Sequence, residues 1–254
     1  MDLLDQIREH TILRRELSRN GTVIDLGMND GRFAREIQAK FGCKVIGVEP
    51  NPTLAASIGT SEYVSCRNLA ISGEAGTAKF RIDDDNEASH IVSGDAMSEK
   101  VIEVPCIPLR TYLAENNVTS ADLLKIDIEG AELQIFEGED FDVLRNMRQI
   151  SVEFHAFVHP EQRARVKNII SRMRKIGFYS IDFSATWKDV LFINPWMVKL
   201  RLWDKAALSY YKYATGLPAL LKKIFAEGPG TVAKKIIARR FSRPDRGRAP
   251  CELP

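Results

Sequence analysis

The sequence predicts an α/β fold, a doubly wound and mostly parallel sheet that finishes in an antiparallel hairpin. A buried strand at 22–26, a helix at 32–40 and a second strand at 44–49 follow one another, which is typical of a right-handed parallel unit. Two later apolar runs, 178–183 and 189–193, are close enough in the chain to form a hairpin. The length, 254 residues, allows one sizeable domain and an appendage.

The other elements are predicted from periodicity in chain order. Residues 2–18 are expected to form a helix, because their apolar positions fall roughly on one side of a helical repeat. The remaining predictions are β structure over 62–107 with a solvated loop at 83–87, a strand over 122–128, a helix that begins within 131–136, a strand over 149–154 and an amphipathic helix over 161–176.

The charge distribution divides the chain. The formal net charge is +2, but residues 197–254 hold thirteen Lys or Arg against four Asp or Glu, so residues 1–196 are acidic. We predict a folded domain at 1–196 and a basic amphipathic tail at 197–254, whose last 14 residues are Pro/Gly/Arg-rich and expected to be disordered. Three roles for the tail stay open: contact with an anionic membrane surface, packing or self-association, and, least favoured, nucleic-acid binding.

Cysteine usage and hydropathy argue against several classes of protein. The cysteines, Cys43, Cys66, Cys106 and Cys251, form no C-x-x-C pair, so a zinc site and a disulfide framework are not expected. The N-terminus does not read as a signal peptide, and no run of about 18 apolar residues indicates a membrane span. A cytoplasmic location is therefore predicted, with peripheral membrane contact through the tail as the open alternative.

The turn after the first strand is the predicted cofactor site, because doubly wound sheets bind ligands beyond the carboxyl ends of their strands. Gly27 and Gly31 allow a tight turn and close approach of a ligand. A dinucleotide fold would require G-x-G-x-x-G, but Asn29 stands where the middle glycine would be. Asp25 would disfavour a pyrophosphate and suit the cationic amino end of S-adenosylmethionine, while Glu49 can accept hydrogen bonds from ribose hydroxyls. S-adenosylmethionine is favoured over a dinucleotide and over a turn that binds nothing.

Five blocks of sequence, in order, resemble the FkbM-like methyltransferases. They are V-I-D-L-G-M-N-D-G at 23–31, V-E-P-N-P at 48–52, N-L-A-I-S at 68–72, L-K-I-D-I-E-G-A-E at 124–132 and V-E-F-H at 152–155. The fourth block is the most specific.

The resemblance implies a class I methyltransferase-like Rossmann fold, S-adenosylmethionine as cofactor, and O-methylation of a small-molecule or glycan hydroxyl. It also implies that Asn51, Asn68 and Ala70, which lie in matched blocks, contact the cofactor. One departure is Leu109-Arg110-Thr111, where the family often has Leu-Asp; this leaves open any role for an acidic group there.

Four residues are the predicted catalytic candidates. Methyl transfer from a sulfonium to a hydroxyl is an in-line displacement that needs alignment and removal of one proton. Asp127 ends the signature strand, and Lys125 points to the same face two residues earlier, either as a participant or as a structural partner of Asp127. Glu129 is either a substrate contact or a helix N-terminal charge. His155 suits a general base and is expected to share a strand face with Glu153.

No metal site is predicted, since the spacing of the acidic residues and histidines is not diagnostic. A divalent ion held by Asp127, Glu129 and His155 is the alternative. Glu132 is interpreted as helix electrostatics only, and His10 carries no functional signal. A catalytically inactive S-adenosylmethionine-fold module, tethered by its basic tail, is the second functional hypothesis. Methylation of nucleic-acid bases is disfavoured because no N/D-P-P-Y/F motif occurs.

Overall fold

The structure is a computed structural model that describes residues 3–82, 89–91, 101–128, 131–157, 160–184 and 186–211. Its strands and helices are β1 Leu4–Ile7, β2 His10–Leu13, β3 Thr22–Leu26, α1 Arg32–Phe41, β4 Lys44–Val48, α2 Pro52–Ile58, β5 Val64–Arg67, β6 Ala70–Ile71, β7 Gly76–Ile82, β8 Ser89–Ile91, β9 Val101–Ile107, α3 Leu109–Glu115, β10 Leu123–Ile126, α4 Glu132–Glu137, β11 Gln149–Val152, α5 Arg163–Lys175, β12 Tyr179–Asp182, β13 Val190–Ile193 and α6 at 202–211. Short 3-10 helices lie at Arg14–Glu16, Glu139–Asn146, His155–Phe157 and Pro160–Gln162.

The central sheet has seven strands in the order β12-β13-β11-β10-β3-β4-β5. The five strands from β11 to β5 are parallel, whereas β13 is antiparallel to both of its neighbours. This confirms the predicted fold class, including the antiparallel ending. Chain order reverses between β3 and β10, so the crevice where such sheets bind ligands lies beyond the ends of these two strands.

Helices cover both faces of the sheet, which is why its inner strands are rich in buried apolar residues. Ile24 and Ile126 pack on the side that holds α3, α4 and α5. Val23 and Leu123 pack on the other side with Phe33 of α1. A strand that is buried on both faces reads as a continuous apolar run, and β3 and β10 follow that rule except at Asp25 and Lys125.

The prediction of a helix over 2–18 is wrong: β1 and β2 form an antiparallel hairpin that pairs Ile7 with His10. Side chains from elsewhere in the chain bind the backbone of β2. Gln149 Oε1 accepts from Leu13 N at 2.6 Å, and Asp189 Oδ1 accepts from Thr11 N at 3.0 Å. These partners lie more than 130 residues away, so local periodicity could not reveal them.

The predicted β structure over 62–107 is confirmed as β5 and a separate four-stranded sheet in the order β6-β9-β7-β8. The predicted solvated loop at 83–87 lies outside the described residues. The strand predicted over 149–154 ends at Val152, and His155 opens a 3-10 helix instead. Glu153 and His155 are therefore not on one strand face, although their side chains remain close.

The first part of the predicted tail packs against the hairpin and the sheet. Val198 and Leu208 are buried together with Leu13, Leu191 and Ile193. Met1–Lys212 form one compact unit, and the chain from 212 onward lies outside the described residues. Among the helices that the structure describes, none is both long enough and apolar enough to cross a membrane.

Candidate active site

The turn between β3 and α1 requires glycine at two positions. Gly27 has φ 80° and Gly31 has φ 74°, in the left-handed region that residues with a Cβ rarely adopt. A Cβ on Gly27 would also overlap the carbonyl oxygen of Asp127. Asn29, between them, has φ 52°, a conformation that asparagine tolerates better than most residues. The turn therefore lies directly against the end of β10.

Glu49, at the end of β4, binds the backbone of this turn. Its Oε2 accepts from Asn29 N at 2.7 Å and its Oε1 accepts from Asn51 N at 2.8 Å. Burial raises the pKa of Glu49 to about 7, although the two amide donors act in the opposite direction. Each carboxylate oxygen has a second lone pair, so Glu49 retains capacity to accept from a ligand's hydroxyls.

The three residues that the resemblance added to the cofactor site have different environments. Asn51 Oδ1 caps α2 by accepting from Thr53 N at 3.0 Å, and its buried Nδ2 has no hydrogen-bond partner among the described residues. Asn68 Nδ2 donates to the carbonyl oxygens of Glu49 and Pro50. Ala70 is buried in the smaller sheet. Their contacts to a cofactor stay predictions.

Asp25 and Lys125 form a buried ion pair beneath the turn. Lys125 Nζ lies 3.0 Å from Asp25 Oδ1 and donates to the carbonyl oxygen of Gly27 at 2.6 Å. Burial acts to lower the pKa of Lys125, but the carboxylates of Asp25 and Asp127 outweigh it and raise that pKa. Lys125 thus fixes the turn to β10, and Asp25 has Lys125 as the partner for its carboxylate.

A pocket of about 370 Å³ opens above the ends of β3, β10 and β11. The turn and α1 form one side of it, and Lys125, Asp127 and Glu153 form the other. The tip of the β1–β2 hairpin lines a third side of the pocket through Arg8, Glu9 and His10. Its position is the crevice that the reversal of strand order predicts.

Asp127 lies at the centre of the charged side of this pocket. Its Oδ2 is 3.4 Å from Lys125 Nζ and 3.6 Å from His10 Nε2, and its Oδ1 is 3.8 Å from His155 Nε2. Burial would raise the pKa of Asp127, but Lys125 and the histidines hold it well below its usual range. Asp127 is therefore a carboxylate that stays ionised at neutral pH.

His155 is oriented by Glu132, a residue whose sequence position predicts only helix electrostatics. His155 Nδ1 lies 2.8 Å from Glu132 Oε1, and Glu132 is 1% exposed. An ionised carboxylate only accepts, so the Nδ1 atom carries the proton and Nε2 is the basic nitrogen of the neutral ring. That Nε2 is 4.0 Å from Glu153 Oε1.

Two further residues were not among the predicted site residues, although the sequence places Glu153 beside His155 near the same cleft. Glu153 lines the pocket, and burial together with the charge of Asp127 raises its pKa to about 7. His10 reaches the pocket only because the N-terminal hairpin crosses β11, where its Nδ1 lies 3.0 Å from Ser151 Oγ. No local sequence signal indicates this role for His10.

The structure brings Lys125, Asp127 and His155 together, and it places Asp25, Gly27, Asn29, Gly31 and Glu49 at the adjoining turn. His155 stands behind Asp127 and Glu153 and is not among the residues that line the pocket in the described part of the chain. Glu129, the fourth catalytic candidate, lies outside the described residues.

Known proteins similar to this chain were found by sequence and by structure. AMB antimetabolite synthetase AmbE from Pseudomonas aeruginosa is 26% identical over 167 residues, which is 60% of this chain but only 8% of that protein. A methyltransferase from Geobacter sulfurreducens, solved with S-adenosyl-L-homocysteine, is 13% identical with a TM-score of 0.35, and the match covers 89% of this chain and 77% of that one. A chain of the complex between the Haloferax volcanii Trm112 activator and a putative methyltransferase is 11% identical with a TM-score of 0.35, over 70% and 84% of the two chains.

A family model described as the methyltransferase FkbM domain matches residues 25–179. The match begins at Asp25 in β3, runs through the signature strand β10, and ends at Tyr179, where β12 begins. It therefore includes the turn, Glu49, Asp127, Glu153 and His155. Because the match covers more than half of the chain, the protein belongs to the FkbM family of methyltransferases, whose methyl donor is S-adenosylmethionine.

Proposed function

We propose that the protein transfers a methyl group from S-adenosylmethionine to a hydroxyl oxygen of a sugar, a glycan or a related secondary metabolite. One observation carries this proposal. The pocket above β3 and β10 has the glycine turn on one side and a cluster of proton-accepting groups, Asp127 and Glu153 with His155 behind them, on the other. A hydroxyl acceptor requires such groups because it is a poor nucleophile until its proton is removed.

The residues of the turn fit the cofactor. The missing Cβ of Gly27 lets the turn pack against the carbonyl oxygen of Asp127 at the edge of the pocket. Glu49 can accept from ribose hydroxyls at the end of β4. Asn51 Nδ2, a buried donor without a partner in the described residues, is available to the nucleoside. The bound cofactor supplies an electrophilic methyl group on a sulfonium.

His155 is the proposed final proton acceptor, and the proton reaches it by way of the Asp127 carboxylate, which lines the pocket. Glu132 fixes its tautomer, so that the basic Nε2 atom faces Asp127 and Glu153. The carboxylate of Asp127 stabilises the imidazolium that forms when the acceptor proton is taken up. As the oxygen attacks in line, the carbon–sulfur bond breaks, its electron pair goes to sulfur, and S-adenosylhomocysteine leaves.

The class of acceptor follows from the family resemblance and from one relative. AmbE is named as an antimetabolite synthetase, and this favours a secondary metabolite as the acceptor. The chain spans less than a tenth of that protein. The proposed role concerns the methyltransferase domain alone.

Calorimetric titration with S-adenosylhomocysteine, with NADH as the control ligand, tests the cofactor. We expect S-adenosylhomocysteine alone to bind and Glu49→Ala to lose that binding. Turnover is then measured as release of S-adenosylhomocysteine across a panel of sugar, glycan and metabolite hydroxyl acceptors. Absence of turnover with every acceptor, despite cofactor binding, would favour the inactive binding module.

Variants of the acceptor side separate chemistry from binding. Asp127→Asn and His155→Ala should each lower kcat by about a hundredfold or more, because general-base catalysis is worth that much, while affinity for S-adenosylhomocysteine stays within a factor of about three. Glu132→Gln should lower kcat by about tenfold without changing the KM for the methyl donor. Glu115→Gln, on the exposed face of α3, is the control. Full activity in both Asp127→Asn and His155→Ala would refute the assignment.

A further inference from the structure

The hairpin brings His10 to the wall of the pocket beside Asp127 and Glu153. One atom from each residue, an imidazole nitrogen and two carboxylate oxygens, lies within 4.8 Å of the other two. His10 Nε2 is 3.6 Å from Asp127 Oδ2, too far for a hydrogen bond. Two ligand atoms bound to one ion at about 2.1 Å lie roughly 3 to 4.2 Å apart. The three groups are thus too distant to bind one another and nearly at the spacing of ligands around one ion.

His10 presents an unsatisfied nitrogen to this cluster. Its Nε2 is buried and has no hydrogen-bond partner in the part of the chain that the structure describes, and its side chain is only 3% exposed. Leaving a buried polar atom unpaired destabilises the fold, and a ligand bound to Nε2 would remove that cost.

The other nitrogen of His10 is bound in the way that ligating histidines usually are. His10 Nδ1 lies 3.0 Å from Ser151 Oγ on β11, and that hydroxyl can accept its proton. Metal-bound histidines almost always donate their second ring N–H to an acceptor, which fixes the tautomer and the ring plane. With the proton on Nδ1, the lone pair of Nε2 faces Asp127.

The charges of the cluster leave a place for a cation. Asp127 and Glu153 are two carboxylates at one site, and the buried cation next to them, Lys125, is shared with Asp25 at 3.0 Å. Lys188 approaches Glu153 Oε1 only to 3.6 Å, from a side chain that is 43% exposed. Two carboxylates and a neutral imidazole match the charge of a divalent ion.

We infer that His10, Asp127 and Glu153 bind one divalent transition-metal ion on the acceptor side of the pocket. A mixed imidazole and carboxylate set suits such an ion better than it suits magnesium or calcium. This set differs from Asp127, Glu129 and His155, the alternative that the sequence left open, in that the hairpin supplies the histidine. Three protein ligands leave coordination positions for an acceptor oxygen.

The role of the ion rests on the proposed function. An ion at this position would bind the acceptor hydroxyl and lower its pKa. The hydroxyl proton would then pass by way of Asp127 Oδ1 to His155, whose Nε2 is 3.8 Å from that oxygen. The methyl group passes from sulfur to that oxygen, and the sulfonium leaves as a neutral thioether.

Binding of Mn²⁺ to the full-length chain, after treatment with a chelator and dialysis, tests the inference without any acceptor. Loss of the electron paramagnetic resonance signal of free Mn²⁺ gives the stoichiometry and the affinity. Modulation of the electron spin echo of the bound ion by ¹⁴N (¹⁴N modulation) reports an imidazole ligand. We expect one ion per chain with ¹⁴N modulation. His10→Ala and Glu153→Gln should each weaken binding at least tenfold and His10→Ala should remove the modulation, whereas Glu115→Gln should change neither. Ser151→Ala should weaken binding by about tenfold.

Each variant's affinity for S-adenosylhomocysteine shows whether it is folded, and the ¹⁴N signal of the unaltered chain requires no variant. No bound Mn²⁺, bound Mn²⁺ without ¹⁴N modulation, or equal affinity in Glu153→Gln would overturn the metal site. Methyl transfer that proceeds at full rate after chelation would overturn its role and leave the proposed function standing. Specific Mn²⁺ binding without methyl transfer to any acceptor would confirm the metal site and overturn the proposed function.

Discussion

The two sides of the pocket are constructed differently. The cofactor wall, which we define as residues 25–31 with Glu49, comes from two neighbouring strands and is held by backbone groups: Gly27 N and Met28 N both donate to the carbonyl oxygen of Val48. The acceptor wall, defined as His10, Asp127, Glu132, Glu153 and His155, comes from distant segments. The functional groups of its side chains lie 2.8 to 4.0 Å from one another.

Because of this difference, the cofactor wall depends mainly on backbone geometry and the acceptor wall on the protonation of its side chains. The shape of the cofactor wall follows from glycine dihedral angles and sheet register, and burial raises the pKa of its Glu49 to about 7. The acceptor wall consists of ionisable groups, so its state depends on pH and on cations. Backbone changes should therefore damage the first wall, and changes of charge should damage the second.

The largest effect is expected for Gly27→Ala, which breaks the cofactor wall where it meets β10. The left-handed backbone costs a residue with a Cβ roughly 1 to 2 kcal/mol, and the overlap with the carbonyl oxygen of Asp127 adds to that cost. We expect the melting temperature to fall by about 5 °C or more and binding of S-adenosylhomocysteine to be lost. Gly73→Ala, whose Cβ would meet nothing within 4 Å, should match the unaltered chain in both measurements. Normal cofactor binding by Gly27→Ala would disprove this account of the turn.

A smaller effect concerns the pH dependence of the cofactor wall. Because burial raises the pKa of Glu49 from 4.5 to about 7 in the folded chain, its contribution favours folding below pH 4.5 and is lost as the pH rises to about 7. Ribose hydroxyls donate to the ionised form, so binding of S-adenosylhomocysteine should release a proton and be up to about tenfold weaker near pH 6 than near pH 8.

Calorimetry in two buffers of different ionisation enthalpy measures that proton. Glu49→Gln should bind more weakly and show neither proton release nor pH dependence, while Glu115→Gln should behave as the unaltered chain does. An affinity independent of pH in the unaltered chain would show that Glu49 is already ionised at pH 6.

The smallest effect on either wall is expected for removal of 212–254. The deletion spares Val198 and Leu208, which are buried against the hairpin, so affinity for S-adenosylhomocysteine should not change. Residues 212–254 hold ten Lys or Arg and three Asp or Glu, and we propose that they bind an anionic membrane surface. The full chain should sediment with anionic vesicles, whereas the truncated chain should stay in the supernatant. Equal sedimentation of both would exclude this role.

The sequence predicted the cofactor wall better than the acceptor wall for a physical reason. Asp25, Gly27 and Gly31 lie within one stretch of seven residues, and Glu49 follows by one strand–helix–strand unit, so spacing alone placed them together. The parallel strands β3, β4, β10 and β11 were likewise predicted within about two residues, since short strands buried in a sheet are rich in apolar residues.

The sequence by itself determined the fold class, the family and the glycine turn after the first strand, because these depend on local backbone requirements and on hydrophobic periodicity. Only the tertiary structure decided that residues 4–13 form a hairpin, that His10 lies beside Asp127, and that Glu132 orients His155. Those contacts join segments up to 141 residues apart, as between His10 and Ser151. Their stability comes from buried side-chain pairing, which leaves no periodic trace in the chain.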